Sequence, residues 1–476
     1  MAALTDAQQH AVAELIRVSP VADELGRLFA DAGRELHLVG GSVRDALLGR
    51  LGDDLDFATD ARPQEVLRIA EDWADGTWKM GISFGTVGLA KNGLRLEVTT
   101  YRSESYDADS RKPDVVYGDT LAGDLARRDF TVNAMAIALP THEFADPYGG
   151  IADLAVKVLR TPGTAEASFS DDPLRMLRAA RFAAQLGFAV APDVVRAMSD
   201  MAERLAIVSA ERVRDELSKL LLSADPVPGL ALLVDTGLAE HLLPELPRMR
   251  LEIDPIHHHK DVYLHSLAVL QRAMALEPAG PDLTLRMAAL LHDIGKPKTR
   301  DFGPGGVTFH HHEVVGAAMT RARLRALRYP KQLVEDVSRL VELHLRFHGY
   351  GRGEWTDSAV RRYVRDAGPL LDRLNALVRS DCTTRNRRKA TALGRAYDEL
   401  EQRIAELAEQ EELAAVRPDL DGREIMQILG IPPGPLVGRA RAYLLEQRLE
   451  RGPVARDEAV RLLREWAAAE QGQPQR

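Results

Sequence analysis

Apolar residues along this chain follow two rhythms. Up to about residue 150 they come as short runs bounded by glycine and aspartate: ELHLVGG reads as a strand running into a glycine turn, with the helix SVRDALLGR behind it. DDLDFAT alternates polar and apolar positions, and GTVGLA and LRLEVTTYR read as further strands joined at an Asn92-Gly93 turn. A helical stretch, Ala7–Ala32, precedes them. From Asp171 onward the spacing turns helical, as in DDPLRMLRAARFAAQLGF and SAERVRDELSKLLLS, and strand patterns nearly vanish. Ser209 is placed to cap the second of these helices, but Arg212 stands where a capping box needs an acid or amide. The pattern predicts an α+β fold, a small mixed-sheet head followed by helices alone.

Proline-bearing breaks at Asp225–Pro228 and Leu243–Pro247 and changes of composition divide the chain into expected domains: a head over 1–150, a helical neck over 151–250, a histidine-rich helical unit over 251–395 and a helical tail over 396–476. A chain of 476 residues exceeds what one hydrophobic core serves, and 45% apolar residues suffice for several. The single cysteine, Cys382, excludes an internal disulfide and a cysteine-built zinc site, and suits a reducing compartment. No stretch reaches the ~18 consecutive apolar residues of a spanning helix, and the first residues lack the apolar run of a signal peptide, so a cytoplasmic protein with no membrane partner is expected. The net charge of −9 hides a gradient: residues 1–150 carry 15 basic and 25 acidic side chains, residues 301–400 carry 18 and 12. The basic excess of the second region fits either a polyanion partner or ordinary solvated surface, and the motifs decide between them.

The candidate chemistry begins at the glycine turn. Backbone N–H groups of Gly40 and Gly41, at a helix start, can approach phosphate oxygens, and Arg44 can hold them. Asp54 and Asp56 lie two apart on one strand, so both carboxylates share a face, and Glu97 on another strand offers a third. Hard oxygen ligands in this arrangement suit Mg²⁺, with two ions activating an attacking hydroxyl and stabilising a departing pyrophosphate.

LVGGSVRDALLGR, DDLDFAT, FGTVGL, LEVTTYR and RRDFTVNAMA, in this order, resemble the class II tRNA nucleotidyltransferase and bacterial poly(A) polymerase superfamily. The resemblance implies metal binding by Asp54 and Asp56 with Glu97 in support, phosphate binding by Gly40, Gly41, Arg44 and Asp45, and contact of Arg127, Arg128, Asp129 and Asn133 with the nucleotide sugar and phosphates. Asp171-Asp172-Pro173-Leu174-Arg175 matches the family's nucleotide-selecting motif, which implies that Asp172 and Arg175 meet the base edge. A carboxylate accepts from the amino group that cytosine and adenine share, where guanine and uracil present a carbonyl. Arg178 and Arg181 continue that helix face and are further candidates for phosphate or for ion pairs, whereas Arg212 and Glu216 match a neck motif read as bracing.

His265, His292-Asp293, His312, His344 and Asp381 add imidazole and carboxylate ligands of the kind that hold transition metals. The ordered set resembles the HD phosphohydrolase family, which implies a divalent transition metal on His265, His292, Asp293 and Asp381, with His312 and His344 as further ligands, and a phosphodiesterase or phosphatase activity. His257, His258 and His259 read as a solvated loop, and His310 and His311 are left unassigned. The basic residues Arg361, Arg362, Arg365, Arg385, Arg387, Arg388 and Lys389 are candidates for gripping an RNA backbone. LGIPPGPLVG resembles the tail of bacterial tRNA nucleotidyltransferases that carry an HD domain.

Together these resemblances imply an enzyme that adds C, C and A to tRNA 3′ ends from CTP and ATP. A poly(A) polymerase or an enzyme adding only C or only A is the alternative within the same chemistry, and an HD phosphohydrolase with a binding-only head is the rival of another class.

Overall fold

The structure, a computed structural model, describes residues 19–50, 52, 54–78, 85–105, 114–118, 120–250, 261–303, 306–347, 356–382, 387–411 and 417–471. These residues form two compact units that meet in sequence at Pro244/Glu245, inside the Leu243–Pro247 break.

The first unit opens with α1 (Pro20–Asp31), β1 (Leu36–Val39), α2 (Gly41–Leu47), β2 (Asp54–Thr59), α3 (Pro63–Ile69), β3 (Gly76–Trp78), β4 (Thr86–Lys91) and β5 (Leu94–Thr100). There follow a side hairpin of β6 (Arg102–Ser105) and β7 (Asp114–Tyr117), then α4 (Leu121–Ala126), β8 (Ala136–Leu139) and β9 (Phe144–Ala145). Seven strands make one mixed sheet in the order β3-β4-β5-β2-β1-β8-β9. β2 runs parallel to β5 and antiparallel to β1. Asn92 and Gly93, at φ 51° and 82°, make the tight turn between β4 and β5 that the sequence signalled. Leu55, Phe57, Leu96 and Val98 point into the core beneath the sheet, so by the two-residue period the positions between them face the other way.

The rest of this unit is helical: α5 (Gly150–Val156), α6 (Ala165–Asp171), α7 (Leu174–Leu186), α8 (Pro192–Asp200), α9 (Ala210–Leu221), α10 (Val227–Asp235) and α11 (Ala239–Leu242), with a small ladder between β10 (Val158–Leu159) and β11 (Ala189–Val190). Ser209 caps α9 by accepting from the Arg212 N–H, with no reciprocal acid.

The second unit comprises α12 (Glu245–Arg248), α13 (Val262–Met274), α14 (Leu283–Leu291), α15 (Lys296–Thr299), a hairpin of β12 (Asp301–Gly303) and β13 (Gly306–Thr308), then α16 (His312–Ala326), α17 (Lys331–Leu343), α18 (Asp357–Ala367), α19 (Leu371–Asp381), α20 (Arg387–Glu411), α21 (Gly422–Leu429), α22 (Pro435–Arg451) and α23 (Arg456–Gln471). Apolar residues of α21 to α23, among them Ile425, Leu444 and Leu463, build a separate small core. Among the described residues no helix is long and apolar enough to cross a membrane.

Candidate functional site

The pleat of β2 leaves Asp54 and Asp56 exposed on one sheet face, and the parallel register sets Glu97 of β5 opposite Asp56. Ser42, in the first turn of α2, ties helix to strand: its hydroxyl accepts from the Asp56 N–H at 3.0 Å and donates to the Asp54 carbonyl at 3.4 Å. Gly40, at φ 70°, makes the turn that brings these elements together. A Cβ there would come 2.8 Å from Arg128 Nη1 and 3.8 Å from Asp56 Oδ2, so the missing side chain leaves room for that arginine and that carboxylate to converge. Asp56 keeps solvent access on its face while protein walls it from below. That burial and the Glu97 and Asp54 charges push its carboxyl up to about 6, against the pull of Arg128 and Arg44. Three acids with one so raised form a site that a divalent cation would relieve.

Behind the carboxylates lies a buried chain of charge-assisted hydrogen bonds. Arg44 donates to both Asp45 carboxylate oxygens, each at 2.8 Å, and to Asn133 Oδ1 at 2.6 Å. Asn133 donates onward to Asp129 Oδ1 at 2.9 Å, and Arg178 donates to Asp129 Oδ2 at 2.7 Å. Burial opposes ionisation of Asp129, but Arg178 and Asn133 outweigh it and hold the carboxyl at about 2. Asp124, fully buried and not among the residues singled out from sequence, accepts from Arg127 at 2.5 and 3.0 Å and from Arg128 at 2.9 and 3.2 Å. Its signal was there to read, an acid three and four residues before two arginines at a helix end.

The residues expected to select the nucleotide have protein partners in this structure. Asp172 accepts from the Leu174 N–H at the start of α7 at 3.1 Å and pairs with Arg212 at 2.7 Å. Arg175 is buried and bonds Ser168 and the Arg127 carbonyl, so it makes no pair with Asp172 across the helix turn. Arg181 is braced by Glu216 at 2.5 Å and stacks on Phe182, 4.0 Å from the ring centre. Its guanidinium is engaged within the fold, as is that of Arg178 on Asp129. Arg212 pairs with Asp172 and Glu216 with Arg181.

In the second unit, His265 of α13, His292 and Asp293 at the end of α14, His312 at the start of α16, His344 after α17 and Asp381 closing α19 meet in one cluster. His292, His312 and His344 each direct Nδ1 at a carbonyl three residues back, of Ala289, Phe309 and Val341, at 2.9, 2.7 and 2.6 Å. A carbonyl only accepts, so Nδ1 carries the proton and Nε2 offers its lone pair. Nε2 of His312 and of His344 is buried with no hydrogen-bond partner. Orphaned, converging imidazole nitrogens fit a metal better than a packed core.

Asp293 stands between two ligand groups. Its Oδ2 lies 3.2 Å from His292 Nε2 and 3.5 Å from His265 Nε2, and Asp381 Oδ1 is 2.9 Å from His265. Its Oδ1 faces His312 Nε2 at 3.3 Å and His344 Nε2 at 3.8 Å. Burial works against the Asp293 charge, but His292 and Lys296 hold its carboxyl well below the ordinary range, and burial with the neighbouring His292 drives His344 down to about 3. Gly295 makes this closeness possible: a Cβ there would strike the His312 carbonyl at 2.2 Å.

Of the arginines expected to grip RNA, Arg361 is corrected outright. It is buried, chelates Glu411 at 2.8 and 2.8 Å and donates to the Leu449 and Glu450 carbonyls, so four of its five N–H groups are taken within the fold and burial keeps it from a phosphate backbone. Arg362 pairs with Glu446 and Glu450, and Arg365 with Asp366. Arg388 is exposed at the start of α20. Arg385 and the side chains of Arg387 and Lys389 lie outside the described residues, as do His257, His258 and His259.

Residues 36–160 match the family model of the poly(A) polymerase head domain, residues 187–249 that of the probable RNA- and SrmB-binding site of polymerase A, and residues 262–409 that of the HD domain. The chain is 35% identical over 438 residues to the A-adding tRNA nucleotidyltransferase of Deinococcus radiodurans, a match covering 90% of this chain and 95% of that protein. It is 43% identical over 212 residues to the CCA-adding enzyme of Lactiplantibacillus plantarum, covering 44% of this chain and 51% of that one. The crystal structure of the Bacillus stearothermophilus CCA-adding enzyme in complex with CTP superposes with a TM-score of 0.70 at 25% identity, over 99% of this chain and 100% of that one. The chain therefore belongs to the family of tRNA nucleotidyltransferases that share the poly(A) polymerase head.

Proposed function

We propose that this protein is a CCA-adding tRNA nucleotidyltransferase of the cytoplasm that lengthens tRNA 3′ ends from CTP and ATP. The observation that carries the reading is the convergence of Asp54, Asp56 and Glu97 on one sheet face with Arg128 at the glycine turn. Bound there by the carboxylates, Mg²⁺ would supply activation of the 3′-hydroxyl and charge neutralisation of the departing pyrophosphate. The chain's own part is positioning. The exposed acids aim at the reacting phosphate, and Arg128, held by Asp124, presents a cation beside them. The 3′-oxygen bonds to the α-phosphorus as the bond to pyrophosphate breaks in line, and the hydroxyl proton leaves with solvent.

Asp172 and Arg175 would select the base, trading their present protein partners for its edge. Complete C, C and A addition is taken as the reading because the solved structure matched over 99% of this chain is of a CCA-adding enzyme in complex with CTP, while the A-adding relative matched over 90% of it makes A addition alone the alternative to be separated by substrate. Pure protein is to be incubated with tRNA ending before the CCA and with tRNA ending in CC, each with labelled CTP or ATP. Incorporation of C into the shorter substrate supports the reading, and A into the CC-ended substrate alone makes the chain an A-adding enzyme.

A second activity rests on a separate observation, the buried unpartnered Nε2 atoms of His312 and His344 beside Asp293. We read the cluster as a transition-metal phosphohydrolase centre, held by His265, His292 and Asp381 on one side of Asp293 and by His312 and His344 on the other. A metal ion held by these residues would supply an activated water and neutralise charge on the phosphoryl group. Water oxygen bonds to phosphorus, the ester P–O bond breaks, and the leaving oxygen takes a proton. The proposed division of labour follows the expected domains: head 1–150 for transfer, neck 151–250 for selection, 251–395 for hydrolysis and 396–476 for the tRNA body.

A further inference from the structure

The hairpin of β12 and β13 enters the sequence between two ligands of the histidine centre, Asp293 and His312, and neither function uses it so far. It carries an anomaly. Phe302 is 66% exposed, with both strand neighbours, Asp301 and Gly303, also exposed. The antiparallel register pairs Phe302 with Val307 on one face, and by the two-residue period Arg300 and Phe309, two positions towards the base of the hairpin and just outside the paired residues, fall on the same side. The Arg300 guanidinium lies over the Phe302 ring, 4.6 Å from its centre. Its Nε is buried with no hydrogen-bond partner, and the guanidinium has no carboxylate partner among the described residues. Lys296 stands over Phe309, 5.7 Å from the ring centre, and reaches Asp293 Oδ2 at 2.6 Å.

The face therefore runs from an exposed aromatic ring near the hairpin tip, through the guanidinium stacked on it, to the Lys296–Phe309 pair, whose lysine touches the metal-ligating carboxylate. An exposed phenyl ring forfeits burial, and an unpaired, partly buried guanidinium forfeits solvation; a ligand carrying both an aromatic plane and an anion repays both. A sugar phosphate alone would leave the ring bare, and an apolar ligand would leave the guanidinium bare.

We infer that the Arg300–Phe302 face is the specificity surface of the histidine centre, stacking the base of a nucleotide phosphoester on Phe302 while Arg300 holds its phosphate. The inference rests on reading the cluster as a phosphohydrolase centre. Phe302 and Arg300 touch the substrate, and the scissile ester sits at the metal ligands beyond Lys296.

The test uses the full chain supplied with Mn²⁺, Co²⁺ or Ni²⁺ in turn, and two probes that share a phosphate monoester, adenosine 5′-monophosphate and ribose 5-phosphate. Base stacking should set their KM values apart by about fivefold or more in favour of the nucleotide. Phe302→Ala should collapse that ratio towards one through KM, and Phe302→Trp should retain it. Arg300→Ala should raise KM for both probes by about tenfold, with partial recovery in Arg300→Lys. A melting temperature close to the parent's confirms that each variant is folded, and for an exposed hairpin residue this is expected. Hydrolysis of both probes with equal KM, unchanged in Phe302→Ala, overturns the inference and leaves the phosphohydrolase centre standing. No hydrolysis of either probe with any of the ions overturns both.

Discussion

The carboxylate face of the head and the histidine centre of the second unit both gather metal-binding groups, by opposite means. Asp54, Asp56 and Glu97 are exposed, and strand geometry alone assembles them: two belong to one strand and the third is its register partner. His292, Asp293, His312 and His344 are buried, and four helices, α13, α14, α16 and α19, with the end of α17, must pack before the ligands meet. The open face leaves access for a triphosphate and a polymer end. The enclosed cluster fixes the tautomers of His292, His312 and His344 through backbone carbonyls and depends on close helix contact. One site is local in origin and tolerant of its surroundings; the other is a product of packing.

The comparison breaks most visibly if each site is disarmed in turn. Asp54→Ala or Asp56→Ala should lower nucleotide incorporation by at least about a thousandfold, several kcal/mol of transition-state stabilisation, without unfolding the head. Labelled-nucleotide assays and calorimetry check both halves. Near-normal turnover in either variant would remove that residue from the mechanism.

His292→Ala with Asp293→Ala should abolish metal binding by the second unit and its phosphohydrolase activity, and spare CCA synthesis. Metal content by mass spectrometry, both activities and the melting temperature are measured together, because losing an ion that joins helices also lowers stability. A variant as stable as its parent that stops adding nucleotides would show the sites to be coupled.

The buried Arg361–Glu411 pair sharpens the same contrast. Arg361→Ala leaves a buried carboxylate without its partner and should cost about 3–5 kcal/mol in denaturant unfolding of the second unit. The salt dependence of tRNA binding should stay as it is, whereas a flatter slope would return Arg361 to the RNA surface.

Asp56 offers a test by pH. Its carboxyl is raised from 3.8 to about 6, first by burial and then by Glu97, so the ionised form opposes folding of the metal-free head. The stability from this group is fully present below about pH 4 and is lost as pH rises through about 6. Asp56→Asn, without metal, should therefore melt at or above the parent temperature at pH 8, with the advantage gone at pH 4. Added Mg²⁺ should restore the parent and do nothing for the variant. Last and smallest, Arg388→Glu should weaken tRNA binding and lower the magnitude of its salt slope by about one. An unchanged slope would leave that arginine as ordinary solvated surface.

Legibility followed the range of the interactions. The helix and strand rhythm predicted the mixed head and the helical remainder because side-chain periodicity is a local property. Asp54 and Asp56 were readable for the same reason, as two residues on one strand face. The HD ligands emerged as an ordered set of residue types, but the place of Asp293 between two ligand groups did not, since it depends on where α16 and α17 dock. Charge counting misjudged Arg361 because a basic excess in sequence says nothing about which guanidinium is turned inward towards Glu411.

The sequence by itself determined the two-part fold, the two ligand sets and the glycines that permit their geometry, since periodicity, residue chemistry and tight turns are written within a few positions. The tertiary structure alone decided which partner each charged group took. It placed Asp124 between Arg127 and Arg128, occupied Asp172 with Arg212, spent Arg181 on Glu216, and left Nε2 of His312 and His344 without a partner. A charge acts over several ångströms in every direction, so its partner is chosen by the packing of elements remote in sequence, and no local pattern records that choice.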